Sequence, residues 1–159
     1  MTEEIVLRNL DPIEIQKYQQ NRYPCLFVDC IEEVVPGKYA KGYKNFTYNE
    51  WFFPAHFVDE PNVPGFVQIE TLAQVFLMTF LTLDGNKGLK AAAVQSKAIF
   101  KKKIIPGDKL DIVAELDSYA RGLAKGRVTG YIRGEVANKL EITASIPEIM
   151  LRYNPQVNG

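Results

Sequence analysis

Residues 51–74 read WFFPAHFVDEPNVPGFVQIETLAQ. The first part, from 49 to 65, interleaves aromatic side chains with Pro54, Pro61 and Pro64. That suits a shaped loop and neither a strand nor a helix interior. Gly65 then opens a helix of about eighteen residues that stops at Asp84-Gly85. Phe66, Ile69, Ala73, Phe76, Leu77 and Phe80 share one face of it, and Leu72, Val75 and Leu83 carry apolar character around the cylinder. A helix apolar on nearly every side must be buried, so the rest of the chain has to wrap it.

The flanks supply the wrapping. Asp11 caps a short helix with Pro12 in its first turn and Glu14 close behind. Pro24 disfavours helix at Tyr23. Phe27–Val35 reads as a strand closed by Pro36-Gly37, and Lys38–Phe46 as its returning partner. Beyond the long helix, Ala91–Phe100 is a strand that Lys101–Ile105 extends towards a turn at Pro106-Gly107-Asp108. Leu110, Ile112, Ala114 and Leu116 alternate with polar residues, as a strand with one buried face does. After a turn at Ala120-Arg121-Gly122, Ala124–Glu135 returns; Gly126, Gly130 and Gly134 along it suggest curvature or close backbone approach. Asn138-Lys139 reads as another turn, before a last strand through Leu140, Ile142, Ala144 and Ile146. The expected class is α+β, a curved antiparallel sheet wrapped around one long central helix. Residues 1–159 form a single domain with its core over about 12–150, and 152–159 are expected to fray.

Composition excludes several classes. The chain has 159 residues, enough for one core without disulfides or metals. Nineteen basic and nineteen acidic residues cancel, which argues against nucleic acid as a main partner. One histidine and two cysteines, Cys25 and Cys30, cannot form a disulfide framework or a four-ligand zinc site, so no metal is expected. Gln68, Glu70 and Gln74 interrupt the most apolar stretch, so no membrane span is expected; the residues at the start do not read as a secretory signal. A soluble, cytoplasmic protein is the expectation.

Three features could carry chemistry. His56 is the single histidine; packing among Trp51, Phe52, Phe53 and Phe57 is the plainer reading, and general acid–base work the functional one. Glu70 sits early in the apolar helix. A carboxylate there must be paired, hydrogen-bonded or protonated, and Gln74, one turn on, could orient it. Pro64-Gly65 opens the helix, which puts free N–H groups and the positive helix end nearby. A turn glycine is the plain reading of Gly65; a donor to a carbonyl oxygen that becomes an oxyanion is the other. Together they describe proton transfer α to a carbonyl with acid–base work at the next carbon. Lys101–Lys103 read as a solvated strand end or as an anion-docking patch that Lys97 lengthens. No nucleotide-binding glycine motif or GxSxG elbow is present. A thiol paired with His56 is conceivable, but both cysteines lie in or beside an apolar strand, where thiols are normally inert.

The segment quoted above resembles the signature of the (3R)-hydroxyacyl-[acyl-carrier-protein] dehydratases, roughly F-F-x-G-H-F-P-x-x-P-x-M-P-G-x-x-x-x-E-x-x-A-Q. Arg22–Asp29 with Pro36-Gly37-Lys38 resembles that family's R-Y-P-F-L-L-V-D…P-G-K. Lys97–Phe100 and Ile105–Asp108 resemble its K-x-x-F…V-P-G-D. The resemblance covers about residues 12–147. It implies the hotdog fold, with His56 and Glu70 as a catalytic pair drawn from opposite subunits of a homodimer. It also implies a Gly65 N–H to the thioester carbonyl, with Phe57, Pro64 and Gln74 in the substrate site. The implied substrate is a 3-hydroxyacyl chain on the phosphopantetheine arm of acyl carrier protein, in fatty acid or related acyl-chain biosynthesis. No dissociable cofactor is implied. The implied assembly is a trimer of dimers, and an acidic carrier protein would give Lys97, Lys101, Lys102 and Lys103 a docking role.

Departures cluster on the loop. Ala55, Val58 and Asp59 stand where the pattern has glycine, proline and often glycine; Asn62 and Val63 replace an apolar residue and methionine; Asn21 replaces a histidine. They leave two alternatives, a hotdog acyl thioesterase or a non-catalytic acyl-ACP-binding subunit of a hotdog heterodimer. A hydratase acting on CoA thioesters would use the same chemistry.

Overall fold

A computed structural model describes residues 2–154. The chain runs β1 (Leu7–Leu10), α1 (Pro12–Ile15), β2 (Cys30–Val35), β3 (Tyr39–Asn45), α2 (Gly65–Leu81), β4 (Ala92–Phe100), β5 (Lys109–Ala120), β6 (Leu123–Ile132), β7 (Glu135–Ser145) and α3 (Pro147–Leu151). The strands make one seven-stranded sheet in the order β1-β2-β3-β5-β6-β7-β4, antiparallel at every pairing. The helix packs across β3, β5, β6 and β7, so the α+β arrangement expected from its all-round apolarity is what forms. From Thr71 to Leu81 every residue of α2 is buried.

Small residues on the covered face let the helix come close. Ala40, Ala114 and Val128 share one row of the register, and Gly42, Ile112 and Gly130 share the next. At Gly126 a Cβ would stand 2.2 Å from the Glu115 carbonyl oxygen and 2.3 Å from the Phe76 ring. This is the close approach that the glycines of β6 suggested.

Several boundaries differ from the sequence reading, each for a local reason. β2 starts at Cys30 rather than Phe27, because the Phe27 and Val28 N–H groups bond the Gln74 side chain instead of a neighbouring strand. β4 stops at Phe100. The Lys101 and Lys102 N–H groups both turn onto the Ala137 carbonyl, and Ile104 accepts from Val63 N–H, which carries 101–105 towards the loop. The turn expected at Asn138-Lys139 is instead at Arg133-Gly134, where both residues have positive φ (47° and 77°) as a tight hairpin requires. Asn138 and Lys139 lie inside β7, paired with Gly130 and Thr129 on one side and with Phe100 and Ile99 on the other. β1 and α3 had no counterpart in the reading. Of the tail expected to fray, Arg152 and Tyr153 continue hydrogen-bonded turns after α3, and 155–159 lie outside the described residues. The cap on α1 is as expected: Asp11 Oδ1 accepts from Glu14 N–H at 2.9 Å.

Gly126→Ala should overpack the helix–sheet contact and lower stability by about 1–3 kcal/mol. Urea unfolding followed by Trp51 fluorescence measures it.

Candidate active site

The loop from Asn49 to Pro64 is held by short-range bonds. Phe53 N–H donates to the Glu50 carbonyl at 3.3 Å, and His56 N–H to the Phe53 carbonyl at 3.2 Å. Asn62 N–H returns to the His56 carbonyl at 2.8 Å, closing a small ring of backbone around residues 56–62. Phe52 and Phe53 anchor this loop in the core, with ring centroids 4.9 Å apart and edge to face. The prolines shape the loop, and these buried rings fix it.

His56 is half-buried and stacked on Phe57, with ring centroids 4.2 Å apart. Its Nδ1 lies 3.1 Å from the Asn62 carbonyl oxygen. A carbonyl can only accept, so Nδ1 is a donor here, and the neutral form of the ring has its lone pair on Nε2. An open cavity is lined by His56, Asn62, Val63, Gly65, Gln68 and Phe100, with Lys101, Lys102 and Lys103 at its rim. Pro64 is buried and offers no side-chain cap to α2, so the positive helix end faces this space. A Cβ on Gly65 would be 3.2 Å from the Phe100 ring, so glycine keeps the helix start and that ring in contact.

Glu70 does not line this cavity. It is half-buried on α2, where its Oε1 accepts from Gln74 Nε2 at 3.0 Å, the orienting contact expected from their one-turn spacing. Gln74 is fully buried. Its Oε1 accepts from Phe27 N–H at 2.8 Å and Val28 N–H at 3.3 Å, and its Nε2 donates to the Cys25 carbonyl at 2.6 Å.

Of the lysines, Lys102 pairs with Glu135 and Lys103 with Glu60. Lys97 is not with them; it lines separate grooves beside Arg127 and Glu141. Cys25 is exposed and Cys30 is partly buried, and neither lines the cavity. Burial pushes the Cys30 thiol above its ordinary range, against a hydrogen bond from Tyr43 that pulls it down.

Two residues escaped the sequence reading. Gln68 is buried; its Nε2 donates to the Val63 carbonyl at 3.0 Å, and its Oε1 accepts from Asn138 Nδ2 at 2.9 Å. The Asn138 Oδ1 stands where a Cβ on Gly130 would be, 2.0 Å from it. This pair ties the end of the loop to β7. The available signal was that Gln68, together with Glu70 and Gln74, interrupts an apolar helix. Among the described residues, no cluster of three or more His, Cys, Asp or Glu side chains could hold a metal, and no helix is long and apolar enough to cross a membrane.

A family model described as the FabA-like domain matches residues 20–141, which include the loop, α2 and both ends of the cavity. The chain belongs to the FabA-like family. Two relatives of this FabA-like chain carry the name 3-hydroxyacyl-[acyl-carrier-protein] dehydratase FabZ. The one from Clostridium novyi is 42% identical over 134 residues, 84% of this chain and 94% of the relative. The one from Bacillus licheniformis is 40% identical over 141 residues, 87% of this chain and 97% of the relative. Among solved structures, the dehydratase heterocomplex ApeI:P from Xenorhabdus doucetiae superposes with a TM-score of 0.70 at 14% identity, over 89% of this chain and 97% of that one. At that identity the likeness is one of fold, and the fold is the hotdog.

Gln74→Leu removes the acceptor of two buried N–H groups. At about 1–3 kcal/mol for each orphaned donor, it should cost on the order of 3 kcal/mol of stability. The shift in urea midpoint at constant slope measures it.

Proposed function

We propose that this chain is a hydro-lyase that dehydrates (3R)-hydroxyacyl chains on acyl carrier protein to trans-2-enoyl thioesters, in fatty acid biosynthesis. The observation that carries the mechanism is the Nδ1 contact of His56. With a proton held at Nδ1 by the Asn62 carbonyl, Nε2 is left to act as the base in the cavity that His56 and Gly65 line. His56 removes the proton α to the thioester. The Gly65 N–H, at the positive end of α2, holds the enolate oxygen. Glu70 gives its proton to the β-hydroxyl, which leaves as water while the double bond forms. The cycle closes when His56 releases its proton and Glu70 regains one. Gln74 keeps the Glu70 carboxyl in one orientation, and Phe57 and Pro64 shape the site around the imidazole and the helix start.

The acid and the base act across a homodimer. In support, Glu70 lies outside the cavity that holds His56 of the same chain. Phe100, which lines that cavity, belongs to β4, an edge strand on which Val94, Ile99 and Phe100 are all exposed. An unpaired apolar edge next to an incomplete site invites a second copy. Three such dimers make the full assembly, and the cytoplasm is its setting. The reaction requires no cofactor beyond the carrier's phosphopantetheine. Carrier protein approaches over Lys101–Lys103, with Lys97 as a more distant steering charge.

Purified protein with 3-hydroxyacyl-ACP should form enoyl thioester. His56→Ala and Glu70→Ala should each lose on the order of 10² to 10⁴ in rate while staying folded. Near-full turnover in folded His56→Ala contradicts the mechanism. Free thiol release in place of enoyl product would identify a thioesterase instead.

A further inference from the structure

β3 presents Ala40, Gly42 and Lys44 to the covered side of the sheet. Lysine in that row is out of place: its side chain is 7% exposed, and its register partner is Leu110. A buried ammonium needs paired charge, and here it has two partners. Lys44 Nζ lies 2.5 Å from Glu50 Oε1 and 3.5 Å from Asp29 Oδ2. It also sits 5.7 Å from the centre of the Phe46 ring, which packs edge to face on Phe52.

Each partner leads to one of the two residues that this chain contributes to the proposed sites. Glu50 is at the base of the loop. Its carbonyl accepts from Phe53 N–H, and the Phe53 carbonyl accepts from His56 N–H. Asp29 follows the segment whose Phe27 and Val28 N–H groups end on Gln74, which in turn bonds Glu70. Asp29 is itself fixed to β3 on both sides: its N–H donates to the Tyr43 carbonyl at 3.0 Å, and its Oδ2 accepts from Asn45 N–H at 2.7 Å.

We propose that Lys44 is a positioning residue that sets the His56 loop and the Glu70–Gln74 segment in one rigid frame. The catalytic consequence rests on the reading of His56 and Glu70 given above; the positioning itself does not. Without the ammonium, Glu50 and Asp29 face each other as like charges at the base of the loop. They move apart, and the backbone ring that holds His56 Nδ1 on the Asn62 carbonyl loosens.

The chain has one histidine, so its imidazole nitrogen spectrum reports this site alone. Histidine-¹⁵N spectra of wild type and Lys44→Met are compared, with steady-state turnover of 3-hydroxyacyl-ACP beside them. The expected result in folded Lys44→Met is averaging of the two nitrogen shifts towards mixed tautomers. In turnover, kcat should fall on the order of 10 to 10²-fold with KM changed less than about threefold, because geometry rather than binding is lost. Lys44→Arg should recover part of both. A His56 spectrum unchanged from wild type in the folded variant overturns the proposal. If Lys44→Met does not fold, Glu50→Gln, which keeps an acceptor for Lys44 and removes the charge, decides by the same spectrum. Absence of dehydration in wild type would sink the catalytic reading, while the spectra would still decide whether Lys44 positions the ring.

Discussion

The Gln74 amide is where the sheet, the central helix and the candidate acid are joined. α2 is buried through its C-terminal two-thirds, and a polar group there is tolerated only if its hydrogen-bonding capacity is used. Gln74 uses its own: two backbone N–H groups on Oε1, and the Cys25 carbonyl and Glu70 on Nε2. Its backbone carbonyl accepts from Gln19 Nε2 at 3.0 Å, which brings in the segment after α1. One residue thus delays the start of β2, seats the N-terminal segment on the helix and fixes Glu70. Such a network is cooperative, and losing one member leaves several groups unpaired.

Around that joint, the site is built by bringing unlike parts close. Gly126 on the covered face of β6 lets α2 sit low on the sheet, and Gly130 makes room for Asn138. The segment after β4 crosses to the loop through the Val63–Ile104 bond and carries Lys101–Lys103 to the same opening. The cavity therefore combines an imidazole held through Nδ1, a positive helix end and a cationic rim. That is a field suited to negative charge. Glu60 and Glu135 offset part of the rim charge.

Much of this was legible in residues 51–74, because a helix apolar all round admits few architectures and proline limits what the preceding loop can be. The short cap on α1 and the contact between Glu70 and Gln74 also followed from spacing. The misreadings have a common origin. Asn138-Lys139 has turn-like composition, but the left-handed backbone was available at Arg133-Gly134, and only strand pairing separates the two. Lys44 has no signal of its own within the returning strand; that it faces inward depends on register, and its worth depends on Glu50 and Asp29 arriving from elsewhere. Gln68 and Asn138 are seventy positions apart and meet only across the helix–sheet contact. Pairings of this kind are tertiary and leave no local periodicity.

The most direct test of the shared site is complementation between two dead subunits. His56→Ala and Glu70→Ala chains are unfolded together, refolded as a mixture and assayed on 3-hydroxyacyl-ACP. If base and acid come from different copies, each mixed dimer holds one intact site, and an equal mixture recovers roughly a quarter of wild-type turnover. If the mixture is as inactive as either variant alone, although mixed dimers form, the acid and base do not act across the interface and the account is wrong.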